Sequence, residues 1–344
     1  MRCVVAGGLL GWTMAANGCV SAPQWQGPLP VRNQHPAQLT VQHMPPASAS
    51  VLPTGATQAR LDAAYSSLFL LGQGNGRSWL MDGEYLRVGP SVRVGLGAGL
   101  EAAVELPFAH TSGGFLDSFI IDYHDTFALP DQSRDTTEKN DFSIGATRQG
   151  QVVWTVERDS AELMDVPLQL TCQIVEPGAH RLGFAVRGGV ELPTGDDERG
   201  YGSGGVDATV GGLLDYRLGT VALYGHAQHT FATTPASARR SGLEFADITA
   251  FGLAAELPLK NWLHALVQVE WENSTLREFG LPVTGRDQTM LWIGGRADMG
   301  RGVAIEVGFG EDLQGLASPD FTAWLAWVWN PGSSRGPGPS QLPR

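Results

Sequence analysis

With 344 residues, 17% of them charged, 45 glycines and a net charge of −12, the chain is long enough for one large domain or two ordinary ones. No uninterrupted apolar run of about 18 residues follows the N-terminus, which excludes a helical membrane protein, and nothing in so acidic a chain would neutralise a row of phosphates, which excludes nucleic acid. Lys139 and Lys260 are the only lysines beside ten tryptophans, a balance that favours an all-β chain over a soluble α/β enzyme.

In chain order, Arg2, the short apolar stretch Val4 to Ala16 and the small residues Val20-Ser21-Ala22 predict an export signal over 1–22. Ala16-Asn17-Gly18-Cys19 loosely resembles a lipidation box, although Ala16 stands where Leu is usual. Lipidation at Cys19 is thus an alternative route to the membrane. Residues 23–57 are rich in Pro and show no sustained alternation, so they form an arm, either periplasmic or entering a lumen.

Beyond residue 57 the governing pattern is alternation with period two. Val92, Val94, Leu96, Leu100, Val104 and Leu106 share one face, opposite Arg93, Glu101 and Glu105. Leu182, Phe184, Val186 and Val190 lie opposite Arg187 and Glu191; Leu263, Val267, Val269 and Trp271 opposite His264, Gln268 and Glu270; Val303, Ile305, Val307 and Phe309 opposite Glu306. Several runs reach about 10 residues, the length a tilted strand needs to cross a bilayer. Short turns at Val88-Gly89-Pro90-Ser91, Pro177-Gly178-Ala179, Leu218-Gly219-Thr220, Pro258-Leu259-Lys260 and Met299-Gly300-Arg301-Gly302 alternate with longer polar stretches at 72–78, 193–205, 232–244, 273–286 and 311–320. That rhythm predicts a closed antiparallel transmembrane β-barrel over 58–330, with both ends in the periplasm. Twelve strands are expected: 58–71, 79–88, 91–106, 165–175, 181–192, 206–218, 220–231, 245–257, 261–272, 287–299, 302–310 and 321–330. Fourteen is the alternative count, if the insert 107–164 adds two.

Within that insert, Phe115, Leu116, Phe119, Ile120, Tyr123 and Phe127 recur at 3.6-residue spacing, which predicts an amphipathic helix over 114–129, ended by Pro130. A short hairpin, Asp141 to Thr147 with Gln151 to Val156, follows. The last strand carries Trp324, Trp327 and Trp329 as interface anchors, and 331–344 reads as a disordered tail.

The residues Gly27-Pro28-Leu29-Pro30-Val31-Arg32-Asn33-Gln34, Asp82-Gly83-Glu84, Gly114-Phe115-Leu116-Asp117 with Ile120 and Tyr123-His124, Leu129-Pro130, Arg134, Asn140, Glu311-Asp312-Leu313 and Ser318-Pro319-Asp320-Phe321 resemble a domain-of-unknown-function family of Gram-negative outer-membrane proteins. Leu192-Pro193-Thr194-Gly195-Asp196 with Gly202-x-Gly204-x-x-Asp207 is similar to the strand-loop-strand signature of the aromatic-degradation outer-membrane transporters. The resemblance implies a barrel in the outer membrane and brings no assigned activity. Barrels of this kind commonly end on an aromatic residue, whereas this chain runs 14 residues past Asn330.

Chemistry-bearing motifs are sparse. Three residues apart on a strand, His226 and His229 face opposite sides, so they do not ligate one metal together. Gly202-Ser203-Gly204-Gly205 lacks the Lys and helix of a phosphate loop. Cys172, with Leu168, Leu170 and Ile174, sits on a lipid-facing apolar row. No cofactor or metal is expected. The candidate solute path comprises the polar face of the strands, Arg93, Glu101, Glu105, Arg187, Glu191, Glu270 and Glu306. The insert would add Asp117, Asp122, His124, Asp125 and Arg134, since charged rings select solutes in pores. The expected partners are outer-membrane lipid and lipopolysaccharide, the barrel-assembly machinery and a small solute. The leading reading is a channel or binding pore. A non-transporting structural or surface-interaction barrel is the alternative, and a lipid-acting enzyme using His124, His226, His229 or His264 as base is the third.

Overall fold

A computed structural model describes residues 25–115, 141–159, 161–313, 318–319 and 321–331. The signal segment, Cys19, the tail beyond 331 and all but the first two residues of the predicted helix lie outside the described residues. The strands are β1 (Thr57–Gly74), β2 (Arg77–Gly97), β3 (Leu100–Glu105), β4 (Phe108–Ser112), β5 (Ser143–Arg148), β6 (Gln151–Val156), β7 (Glu162–Leu163), β8 (Val166–Val175), β9 (Gly183–Leu192), β10 (Asp207–Leu218), β11 (Val221–Phe231), β12 (Ile248–Lys260), β13 (Leu263–Glu272), β14 (Gln288–Gly300), β15 (Val303–Asp312) and β16 (Phe321–Trp329). Two short helices, α1 (Pro36–Leu39) and α2 (Ala236–Arg240), lie outside the sheet.

Each strand from β8 to β16 pairs antiparallel with the next, β8 returns to β3 and β3 to β2. β1 then closes the ring, pairing β2 on one edge and β16 on the other, from Ala59↔Trp329 to Ser67↔Phe321. β1, β2, β3 and β8 to β16 make a closed barrel of twelve, which leaves no free edge in hydrocarbon. The fourteen-strand count is not realised: β5 and β6 form a hairpin that pairs with the far end of β2, outside the ring.

Four expected boundaries are corrected. Val88-Gly89-Pro90-Ser91 is no turn, because β2 runs straight through it to Gly97. Leu106 donates to the Pro90 carbonyl, so the two residues stand opposite each other as a hydrogen-bonded pair, and the reciprocal bond that Pro90 has no N–H to make is missing at the Leu106-Pro107 gap between β3 and β4. The real turn is Ala98-Gly99, with φ of 50° and 76°. Likewise the polar stretch 72–78 is a two-residue turn at Asn75-Gly76, φ 51° and 70°, the primed geometry that matches strand twist. Pro258-Leu259-Lys260 lies in β12 at a bulge, and the turn follows at Asn261-Trp262. The insert is also smaller than 107–164. β4 continues β3 against β2, and β7 continues β8 against β4, so both flanks belong to the wall.

Short turns gather at one end of the barrel, the turn end, and long loops at the other, the loop end, where the tight Asn75-Gly76 turn between β1 and β2 is the exception. Outward-facing side chains form an apolar belt: Val186, Val210, Leu253, Val267, Val307 and Leu325 are all exposed. Burying one such side chain is worth about 1.5–3 kcal/mol, so a belt of this size is compatible with lipid and costly in water. Trp262, Trp327 and Trp329 stand exposed at the turn end; Phe251 with Trp271 and Phe309 with Phe321 pair nearer the loop end.

Candidate functional site

The lumen is occupied by the chain's own N-terminal arm. Of the two placements expected for it, the lumen is the one adopted. Residues 25–56 rise from the turn end along β13 and β14, bend at α1 near the loop end and descend along β9 and β10 to β1. Before Gly55, whose N–H donates to the Gly95 carbonyl of β2, the arm pairs with no strand, so each backbone group needs a partner elsewhere. Its prolines remove donors, some groups bond within the arm, and inward side chains of the wall hold others. Leu29 N–H donates to Gln268 Oε1 (3.0 Å) while Gln268 Nε2 donates to its carbonyl (3.1 Å). Further down the other limb, Ala49 N–H donates to Asp215 (2.9 Å) and Leu52 N–H to Glu101 (2.8 Å). Arg187 donates to the carbonyls of Pro45 (2.6 Å) and Met44 (3.0 Å). Wall glycines admit this close approach: a Cβ on Gly189 would stand 2.6 Å from the Gln42 amide nitrogen.

Above the arm, the loop end is closed by an apolar cap. Ala37, Leu39 and Val41 of the arm pack with Trp79 and Met81 of β2, Trp154 of β6, and Phe245, Phe279 and Leu281 of the loops. Trp79 stacks on Trp154 and on His35. His35 Nδ1 accepts from Ala37 N–H at the start of α1 (3.2 Å), which requires a neutral ring. Burial accordingly lowers His35 to about 4, and lowers His43 to about 4 despite its contact with Glu272.

Between the two limbs and the wall of β1, β2, β3 and β8 lies a cavity of about 120 Å³. Its lining includes Arg60, Arg87, Arg93, Arg187 and Arg296 of the wall, Arg32 of the arm, and the acids Asp62, Glu101, Glu105 and Glu306. Most of these pair: Arg87 with Glu105 (2.7 Å), Arg93 with Glu101 (2.7 Å), Arg60 with Asp62 and Glu306, and Arg296 with Glu306 (2.5 Å) and Glu256 (3.1 Å).

The structure therefore brings Arg93, Glu101, Glu105, Arg187 and Glu306 together on this cavity. Glu191 and Glu270 lie apart from it: Glu191 is buried on β9, and Glu270 faces His226 at 3.1 Å. Asp117, Asp122, His124, Asp125 and Arg134 fall outside the described residues. Arg32, Arg60, Arg87 and Arg296 were missed by the sequence reading. Arg87 was hidden by the misplaced turn at 88–91, and Arg32 by its position in a segment without periodicity. Asp165 was missed as well. It accepts from the backbone of Gly195 (2.7 Å) and Ser203 (2.7 Å), so it organises the Gly- and Asp-bearing loop whose pattern stood out. Burial raises it to about 6.

Among the histidines, His226 points inward to Glu270 and His264 to Glu256 (2.6 Å), while His229 points outward to Thr249 (2.9 Å). No cluster suited to a metal ion occurs among the described residues.

Among solved structures, the COG4313 outer membrane channel from Pseudomonas putida F1 is similar at a TM-score of 0.53 and 12% identity, over 84% of this chain and 100% of that one. The translocator domain of autotransporter NalP from Neisseria meningitidis reaches 0.41 at 10% identity, over 81% and 89% of the two chains. The toluene transporter TodX of P. putida reaches 0.38 at 10%, over 87% and 93%. The first likeness shows the fold of an outer-membrane channel; the two lower scores carry no argument. No curated protein matches the sequence. The family described as protein of unknown function (DUF3187) matches residues 12–329, nearly all of the barrel and its arm, and the chain belongs to that family.

Proposed function

We propose that this protein is an outer-membrane channel or binding barrel for a small solute, held closed in this conformation by its N-terminal arm. The observation that carries the reading is the charged cavity enclosed between the arm and the wall, inside a barrel with the fold of an outer-membrane channel. The turn end then faces the periplasm and the capped loop end the exterior. Polar side chains that would line an open pore instead hold the arm's backbone, so passage requires the arm to move. The test is conductance of the purified barrel in planar bilayers. The intact chain is expected to stay mostly closed, and a variant lacking residues 25–54 to conduct. A variant that folds, by heat-modifiable gel migration, yet never conducts would overturn the channel and favour a non-transporting structural barrel.

A lipid-acting reading has one observation behind it: outward-facing His229 contacts Thr249 Oγ1 at 2.9 Å and Asp247 at 3.9 Å. Such a pair alone supplies no donors for a developing oxyanion. We expect purified protein to hydrolyse neither phospholipid nor short-chain ester; turnover abolished by His229→Ala would reverse that.

A further inference from the structure

The cavity carries more positive charge than its own acids neutralise. Arg60, Arg87, Arg93 and Arg296 each have a carboxylate at hydrogen-bonding distance. Arg32 and Arg187 have no ion-pair partner among the described residues. Arg32 spends one nitrogen on the carbonyls of Gln38 (2.8 Å) and Val41 (3.1 Å), and Arg187 bonds two carbonyls and Gln228. Carbonyl oxygens solvate a guanidinium without cancelling its charge. Burial and the neighbouring Arg87 charge push Arg32 below its ordinary value; Glu191 and Glu272 oppose this from longer range, and Glu272 is already engaged by His43 and Gln38.

The Nε atoms of Arg87 and Arg187 are buried without a partner, on side chains of residues only 8% and 5% exposed, and both residues line the cavity, as Arg32 does. A planar guanidinium fork recognises carboxylate or phosphate. The rest of the lining decides between them, because Pro30, Val31 and Pro46 present an apolar surface that favours an anion with a carbon skeleton. A cavity of this size class accepts a ligand on the scale of benzene.

We propose that the lumen cavity binds a small organic carboxylate, with its anionic group on Arg32, Arg87 and Arg187 and its carbon skeleton against the arm's prolines. The proposal rests on the reading of the barrel as a solute-binding channel and names the solute class. The test is titration calorimetry of the full-length barrel in detergent with hexanoate. Its uncharged counterpart hexanamide and inorganic phosphate are measured in parallel. Saturable hexanoate binding is expected, at least tenfold tighter than either comparison compound. Arg87→Gln and Arg187→Gln should each weaken it at least tenfold in protein that still shows heat-modifiable migration. Because Arg187 also seats the arm, Arg32→Gln provides a second check from the other limb. Equal binding of hexanamide or phosphate, no binding of hexanoate, or unchanged affinity in all three variants would overturn the site. Conductance is read separately: a barrel that conducts without binding hexanoate refutes the site alone, and one that binds hexanoate but never conducts refutes the channel alone.

Discussion

Arg296 shows how much a single inward residue does here. Its guanidinium bridges Glu306 on β15 and Glu256 on β12 and also donates to the Gly27 carbonyl of the arm (3.0 Å); side-chain exposure is 2% for Arg296 and 1% for Glu306. Removing one partner of a buried ion pair strands the others, at a cost of about 3–5 kcal/mol. Arg296→Met is therefore expected to lower the urea midpoint of the detergent-folded barrel by an amount of that order. Arg296→Lys should recover only part, since an ammonium cannot reproduce the planar fork. An unchanged midpoint in the Met variant would mean that water already screens the cluster. Alternation in the sequence announced Glu306 as inward. It could not announce Arg296 as its partner, because the pairing depends on the register Arg296↔Glu306 between β14 and β15.

At the level of elements, the arm is the part whose stability depends on pH. His35 and His43 sit near 4 in the seated arm, and an unseated imidazole titrates near 6.5. Above about 6.5 both states are neutral and seating is insensitive to pH. As pH falls from about 6.5 toward 4, the unseated arm binds protons that the seated arm refuses, so seating weakens, by up to about tenfold per unit for each histidine. The opening equilibrium of residues 36–44, read as hydrogen exchange corrected for the intrinsic rate at each pH, should accordingly be flat from pH 7 to 8 and rise as pH approaches 5, and a His35→Asn, His43→Gln double variant should flatten that rise. Protection that stays constant or increases on acidification would contradict the burial argument. The arm's existence was legible from its prolines and lack of period. Its path was not, since its partners Gln268, Arg187, Asp215 and Glu101 come from distant strands.

For the whole molecule, the solvent of the outer surface is the decisive property. Val307 stands midway along β15, is 51% exposed, and faces away from Glu306. In lipid, Val307→Arg should cost about 2–4 kcal/mol near the bilayer midplane and reduce the yield of heat-modifiable barrel refolded into vesicles. A soluble sandwich would tolerate an exposed charge there without loss. The sequence by itself determined the all-β class, a leading count of twelve crossings over an alternative of fourteen, and the inward or outward sense of most strand residues, because strand periodicity is a local property that hydrophobicity reports directly. Trp324, expected among the interface anchors, instead turns inward beside Arg60. The sequence misplaced the second turn, because Gly89-Pro90 looks like a turn unless the gap opposite Pro90 is known. Only the tertiary structure decided that the charged inner face grips the arm, leaving a small arginine-rich cavity in place of an open pore. The reason is physical: a hydrogen bond between arm backbone and wall side chain joins residues as much as 269 positions apart, and no periodicity encodes such a contact.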